Sequence, residues 1–68
     1  MSDMFPETLP TLAEQIREVR REIEQRETHY PRFVRNGIVT QARADRQLAS
    51  MRAVLDTLER MRNTTTGD

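Results

Sequence analysis

The chain has 68 residues, of which 35% are hydrophobic and 32% are charged, and its eleven arginines balance eleven acidic residues to a net charge of zero. This length limits it to one small domain, and the absence of cysteine excludes both a disulfide framework and a cysteine metal site. No apolar run reaches the roughly 18 residues that a membrane span needs, and the first residues lack a signal-peptide pattern, so we expect a cytoplasmic protein.

The first helix is predicted to cover residues 11–36, after an extended arm at residues 1–10 that holds two of the three prolines. Thr11 and Glu14 have the spacing of a capping box, which marks the start of a helix. Pro31 predicts a kink, since it lacks an amide hydrogen. At the end, Gly37 is placed as the left-handed residue of a Schellman motif, in which Ile38 follows it and Phe33 lies four residues before it.

An apolar stripe runs along this helix in alternating steps of three and four residues, as in a coiled coil with heptad positions a to g. Arg26 is the one polar interruption. Positions a and d of the stripe are Leu9, Leu12, Ile16, Val19, Ile23, Arg26, Tyr30 and Phe33.

The second helix is predicted at residues 41–62, capped by Thr40, with Val39 and Ala44 spaced for a hydrophobic staple. Residues 63–68 are polar and are expected to form a disordered tail. The a and d stripe of this helix is widened on one side by two g positions, Val54 and Met61. The stripe itself consists of Ala44, Leu48, Met51, Leu55 and Leu58.

Two helices of this length joined by a short turn predict an all-α fold, an antiparallel helical hairpin. We expect residue numbers paired across the a/d interface to sum to about 74, which puts Ile23 beside Met51. Arg26 in this interface needs a compensating charge, and Asp45 is its expected partner.

A hairpin leaves part of its apolar surface in water, so we expect it to associate into a homodimer with a four-helix bundle. The added g column suits packing against a further helix. The predicted oligomer interface consists of Leu48, Met51, Val54, Leu55, Leu58 and Met61.

Catalysis is not expected, nor is a cofactor or a metal ion. His29 is the only imidazole and has no acidic residue three or four positions before it. Glu14, Glu18 and Glu22 share a helix face with arginines, which is typical of a solvated surface with weak ion pairs. No glycine-rich phosphate loop is present.

The turn region carries basic and aromatic residues, and all eleven positive charges of the chain are arginine. This composition is found in solvated surfaces, in protein-binding hot spots and in platforms for single-stranded nucleic acid, and the sequence leaves these three alternatives open. The candidate contact residues are Tyr30, Arg32, Arg35, Arg43 and Arg46.

Residues 19–55 contain a pattern at fixed spacings: Glu22-Ile23-Glu24-Gln25-Arg26, then Tyr30-Pro31, Gly37, Thr40 and Ala44-Asp45-Arg46. This pattern resembles that of small helical accessory proteins of tailed phages and prophages. It implies a phage or prophage origin, with the host cytoplasm as location, and no assigned activity.

The sequence therefore predicts a non-enzymatic, self-associating protein–protein interaction module that binds a host or phage protein. The alternative is a nucleic-acid-binding accessory protein that uses the arginines of the turn region.

Overall fold

The computed structural model describes residues 9–66, with side chains described through residue 64. It contains two α-helices, α1 at Leu12–Arg35 and α2 at Gln41–Thr66, and no strand within residues 9–66. The helices pack against each other along their length. The predicted all-α helical hairpin is confirmed. Residues 1–8 of the predicted extended arm lie outside the described residues.

The start of α1 is fixed by the predicted capping box. The Glu14 amide donates to Thr11 Oγ1 at 3.1 Å, and the Thr11 amide donates to Glu14 Oε1 at 2.9 Å. These two bonds satisfy amides that have no partner within the helix. The helix begins at Leu12, as the spacing predicts.

A Schellman motif ends α1. The Ile38 amide donates to the Phe33 carbonyl at 2.8 Å, and the Gly37 amide donates to the Val34 carbonyl at 3.1 Å. Gly37 has a φ of 75°, a left-handed conformation that costs other residues roughly 1–2 kcal/mol. Ile38 stays 68% exposed, so the apolar contact that accompanies many such motifs covers little of it.

The second helix begins after Thr40, whose Oγ1 accepts from the Arg43 amide at 3.1 Å. It continues to Thr66, four residues beyond the predicted end at residue 62. The prediction of a tail from residue 63 is therefore wrong for residues 63–66. Polar residues beyond the last apolar position can extend an existing helix because each added residue gains one hydrogen bond after nucleation.

Pro31 lies inside α1, which continues through it for one more turn to Arg35. The apolar residues of that last turn, Phe33 and Val34, are half-buried, and their packing favours continuation over termination at the proline. The predicted kink at this position stays a prediction.

The interface between the helices contains few fully buried residues. Ile16, Ile23 and Ala44 are the buried residues in the described part of the chain, and most other positions of the two stripes are half-buried. Two exposed ion pairs cross the hairpin, Arg20 with Glu59 and Arg52 with Glu27.

These ion pairs agree with the predicted register. Both join e positions, and the residue numbers sum to 79 in each. In the core, an a residue of one helix faces a d residue of the other. An e residue comes four positions after an a residue and one position after a d residue, so the residue numbers of two facing e positions sum to five more than those of a core pair. A core sum of 74 therefore corresponds to the observed ion pairs.

The predicted ion pair between Arg26 and Asp45 does not form. Arg26 pairs with Glu22 on its own helix, and Asp45 accepts a hydrogen bond from Gln41 at 2.8 Å. Asp45 occupies an e position, whereas Arg26 extends along the opposite edge of the interface toward g positions. The register is as predicted, but the two side chains leave the interface on different sides.

Candidate interaction surfaces

The hairpin has two edges, which differ in chemistry. The e flank carries the two cross-hairpin ion pairs and is closed by charged side chains. The opposite edge, here called the g flank, is formed by residues near the g positions of both helices: Glu22, Arg26, His29, Tyr30, Gln47, Val54 and Met61. On the g flank, the helices are joined instead by the hydrogen bond from the Tyr30 hydroxyl to Gln47.

On α2, the half of the g flank nearer the chain ends is apolar, whereas the g position of α1 in that half is the exposed Gln15, whose side-chain amide donates to the Pro10 carbonyl at 3.1 Å. Val54 is 47% exposed and Met61 is 52% exposed, and they lie one heptad apart on the same edge of α2. The other four residues of the predicted oligomer interface are half-buried against α1 and retain partial contact with solvent: Leu48, Met51, Leu55 and Leu58.

Arg26 belongs to a polar network that crosses the g flank. Its guanidinium donates to Glu22, and the Tyr30 hydroxyl donates to Gln47 on α2. The pKa of Arg26 is raised above its ordinary value by the hydrogen bond to Glu22 and then by the hydrogen bond to Tyr30. The Arg26 guanidinium, which interrupts the apolar stripe, therefore has a hydrogen-bond partner and is held in place within the hairpin.

The closed end of the hairpin, residues 29–46, is basic. It contains Asp45 as its acidic residue and four arginines, so its formal charge is +3 with His29 neutral. The remaining described residues carry seven arginines and seven acidic residues and are balanced. All four closed-end arginines are exposed, and none has an acidic partner within 4.0 Å among residues 9–64: Arg32, Arg35, Arg43 and Arg46.

Helix ends affect these arginines differently. Arg32 and Arg35 lie in the last turn of α1, where the helix dipole favours positive charge. Arg43 lies in the first turn of α2, which contains no acidic residue and where the dipole disfavours positive charge. Arg43 therefore adds positive charge at the positive end of the α2 dipole, and the first carboxylate along this helix is that of Asp45, which accepts a hydrogen bond from Gln41.

Aromatic rings adjoin the basic residues. The rings of His29 and Phe33 stack with centroids 6.0 Å apart and an interplanar angle of 16°. Arg32 lies over the Phe33 ring at 6.0 Å, and its Nη2 approaches His29 Nδ1 at 3.4 Å. Phe33 is half-buried and in contact with both groups, so the exposed ring at this edge is that of His29.

A groove of about 450 Å³ lies on the g flank beside the closed end. Arginines of both helices border it, and Met51 supplies an apolar wall. The lining residues are Arg26, Arg43, Arg46, Gln47, Ser50 and Met51. Sequence reasoning missed this groove, although Arg43, Arg46 and Ser50 have the i, i+3, i+7 spacing of one helix face.

The residues considered for catalysis do not meet. Glu14 caps α1, Glu18 pairs with Arg21 at 2.9 Å, and Glu22 pairs with Arg26. In the described part of the chain, no three histidine or acidic side chains are grouped so that they could hold a metal ion. Within the same residues, neither helix has a stretch apolar enough to cross a membrane.

No protein-family model, curated protein or solved structure matches this chain.

Proposed function

We propose that this chain is a non-enzymatic protein–protein interaction module that associates with a second copy of itself through the apolar half of the g flank. The observation that carries the proposal is the row formed by Val54 and Met61, exposed beside a core with few fully buried residues. A domain of this size gains little stability from one small core, so covering a further apolar surface adds a large share of it.

The dimensions of the hairpin suit a dimer interface. The 26 residues of α2 span roughly 39 Å, and two packed helices present a face roughly 20 Å wide. The whole face is therefore roughly 800 Å², and the part beyond residue 49 that the antiparallel contact described below covers is roughly 27 Å long and roughly 540 Å² in area, which is the size of a small interface. A net charge of zero also removes long-range repulsion between two copies.

Charge favours an antiparallel arrangement of the two hairpins. A parallel dimer would bring together two closed ends of charge +3, whereas an antiparallel dimer separates them. In a two-fold antiparallel contact, Val54 of each copy meets Met61 of the other, as a self-complementary interface requires. The partner's α2, which ends at Thr66, then reaches about residue 49 and leaves the closed end uncovered.

Self-association is tested by mass in solution. We expect sedimentation equilibrium at micromolar concentration to give about twice the 8.0 kDa of one chain. The double substitution Val54→Glu with Met61→Glu should give the monomer mass, because each dimer would bury four carboxylates without partners. The matched control, Ala49→Glu with Ala53→Glu, adds the same charge at exposed positions outside the g flank and should stay dimeric.

A monomeric mass for the unsubstituted chain at these concentrations would overturn the proposal. Equal dissociation of both double variants would also do so, because it would show that the added charge acts regardless of its position.

The antiparallel orientation is tested by disulfide cross-linking, since the chain contains no cysteine of its own. A mixture of the Val54→Cys and Met61→Cys variants should oxidise mainly to the mixed disulfide, because these positions face each other across the two-fold axis. Each variant alone should cross-link slowly. Fast homodimers of each variant, with little mixed product, would indicate the parallel dimer instead.

A phage or prophage origin is part of the proposal and is supported by the resemblance of residues 19–55. Under this origin, the dimer would bind a host or phage protein. A pull-down with the tagged protein from lysogenic or infected cells tests this. The Val54→Glu/Met61→Glu variant, which is expected to be monomeric, should not recover the proteins that bind the dimer. Recovery of the same proteins by both forms would contradict a role for the dimer in binding.

A further inference from the structure

We propose that the closed end of the hairpin binds single-stranded nucleic acid, with the phosphates on its exposed arginines and a base in the groove beside them. The four arginines of the closed end lie beyond the reach of the partner's α2 in the antiparallel dimer. The end of that helix comes close only to the Ser50 and Met51 end of the groove.

Charge is the first step of the argument. Arg35, Arg43 and Arg46 are exposed and have no acidic partner among the described residues, in contrast to Arg20, Arg21 and Arg52. Arg43 also lies at the positive end of the α2 dipole, where bound negative charge is stabilised. The closed end thus groups three such arginines, whereas Arg17, which is also exposed and has no acidic partner in the described part of the chain, lies near the other end of the hairpin.

The groove provides the second step. Its volume is about 450 Å³, and it is a groove open to solvent rather than an enclosed pocket. Met51 contributes an apolar wall, and Ser50 contributes a hydroxyl group. The Gln47 oxygen accepts from Tyr30, which leaves the amide nitrogen of Gln47 as a donor for the edge of a base.

A nucleotide combines the two chemistries that this surface offers. Guanidinium groups bind phosphate in bidentate fashion and stack on flat rings, and an apolar groove accepts the face of a base. In a duplex the bases are stacked and paired, so only a single strand or a loop can place one in the groove. The exposed ring of His29 lies on the same flank and offers a second stacking surface.

Binding can be measured by fluorescence anisotropy with a labelled twelve-residue thymidine strand and the full chain. Three or four phosphate contacts predict a slope of log K against log salt of about −2 to −3. The affinity should therefore fall by about 15-fold to 60-fold between 50 mM and 200 mM NaCl. Absence of binding at 25 mM NaCl would overturn the proposal.

The location is tested with two variants of equal charge. Arg43→Gln with Arg46→Gln should reduce the affinity at least tenfold and reduce the magnitude of the salt slope by about 1.4, the contribution of two phosphate contacts on a single strand. Arg21→Gln with Arg60→Gln removes exposed arginines that pair within their own helices, and should change the affinity less than twofold. Equal losses in both variants would refute a site at the closed end.

Two further ligands distinguish recognition of nucleic acid from binding of any polyanion. A twelve-residue abasic strand keeps the phosphates but lacks the bases, and we expect it to bind at least threefold more weakly. Polyglutamate of the same charge should bind more weakly still, because it lacks both phosphates and rings. Equal binding of the abasic strand would show that the groove holds no base, and tighter binding of polyglutamate would identify an acidic protein as the partner; either result overturns the proposal.

Discussion

Replacing Ile16 with alanine is expected to lower the free energy of unfolding by about 2–5 kcal/mol, the cost of a cavity left by a fully buried branched side chain. Ile16 is 1% exposed and is one of the few fully buried residues in the described chain. Since small domains have about 5 kcal/mol of stability or somewhat more, this single change removes much of it. Urea denaturation followed by circular dichroism at a fixed protein concentration measures the loss.

Ile38→Ala is the matched control for this experiment. It removes the same atoms from a side chain that is 68% exposed, so we expect a change within about 0.5 kcal/mol. A similar loss for both variants would mean that Ile38 is covered in solution, for example by another molecule. A small loss for Ile16 would contradict the packing described for the core.

Replacing Pro31 with alanine is expected to raise the free energy of unfolding by about 1–3 kcal/mol. Proline inside a helix is disfavoured by about 3 kcal/mol relative to alanine because it lacks the amide hydrogen and its ring crowds the preceding turn. Part of this gain is lost because alanine gives the unfolded chain more freedom. Pro31 is exposed, so its replacement disturbs little packing, and a higher midpoint of thermal unfolding reports the gain.

Pro10→Ala serves as the control, because Pro10 precedes α1 and its carbonyl contact with the Gln15 side chain at 3.1 Å survives the substitution. We expect almost no change there. A loss of stability in the Pro31 variant would show that the bend predicted at this proline is needed for the hairpin to close, and that its benefit exceeds the cost of the missing hydrogen bond.

The ends of α1 and the beginning of α2 could be predicted from sequence because they depend on residues close together in the chain. The capping box at Thr11 and the Schellman motif around Gly37 each involve at most six consecutive residues. The register of the hairpin was predictable as well, since two apolar stripes joined by a short turn pair in one main way.

The partner of Arg26 was not predictable from numbering alone. Register states which residues lie at the same level, but not on which side of the interface a long side chain leaves it. Glu22, one turn away on the same helix, was a nearer partner than Asp45 across the interface. The groove beside Met51 likewise depends on how side chains of both helices are directed, and the stripe pattern contains no such information.

The two ion pairs on the e flank have opposite polarity, with the arginine on α1 in one and on α2 in the other. Suppose that α1 of one molecule packed against α2 of another with the pairing displaced by one heptad. Displacement one way would place Arg20 opposite Arg52, and displacement the other way would place Glu27 opposite Glu59. Each exposed pair contributes at most about 1 kcal/mol to the correct alignment, and like charges at these positions cost a similar amount. The pattern therefore penalises misaligned helix pairs between copies, so that chains exchanging helices during assembly would return to the same alignment as the single hairpin.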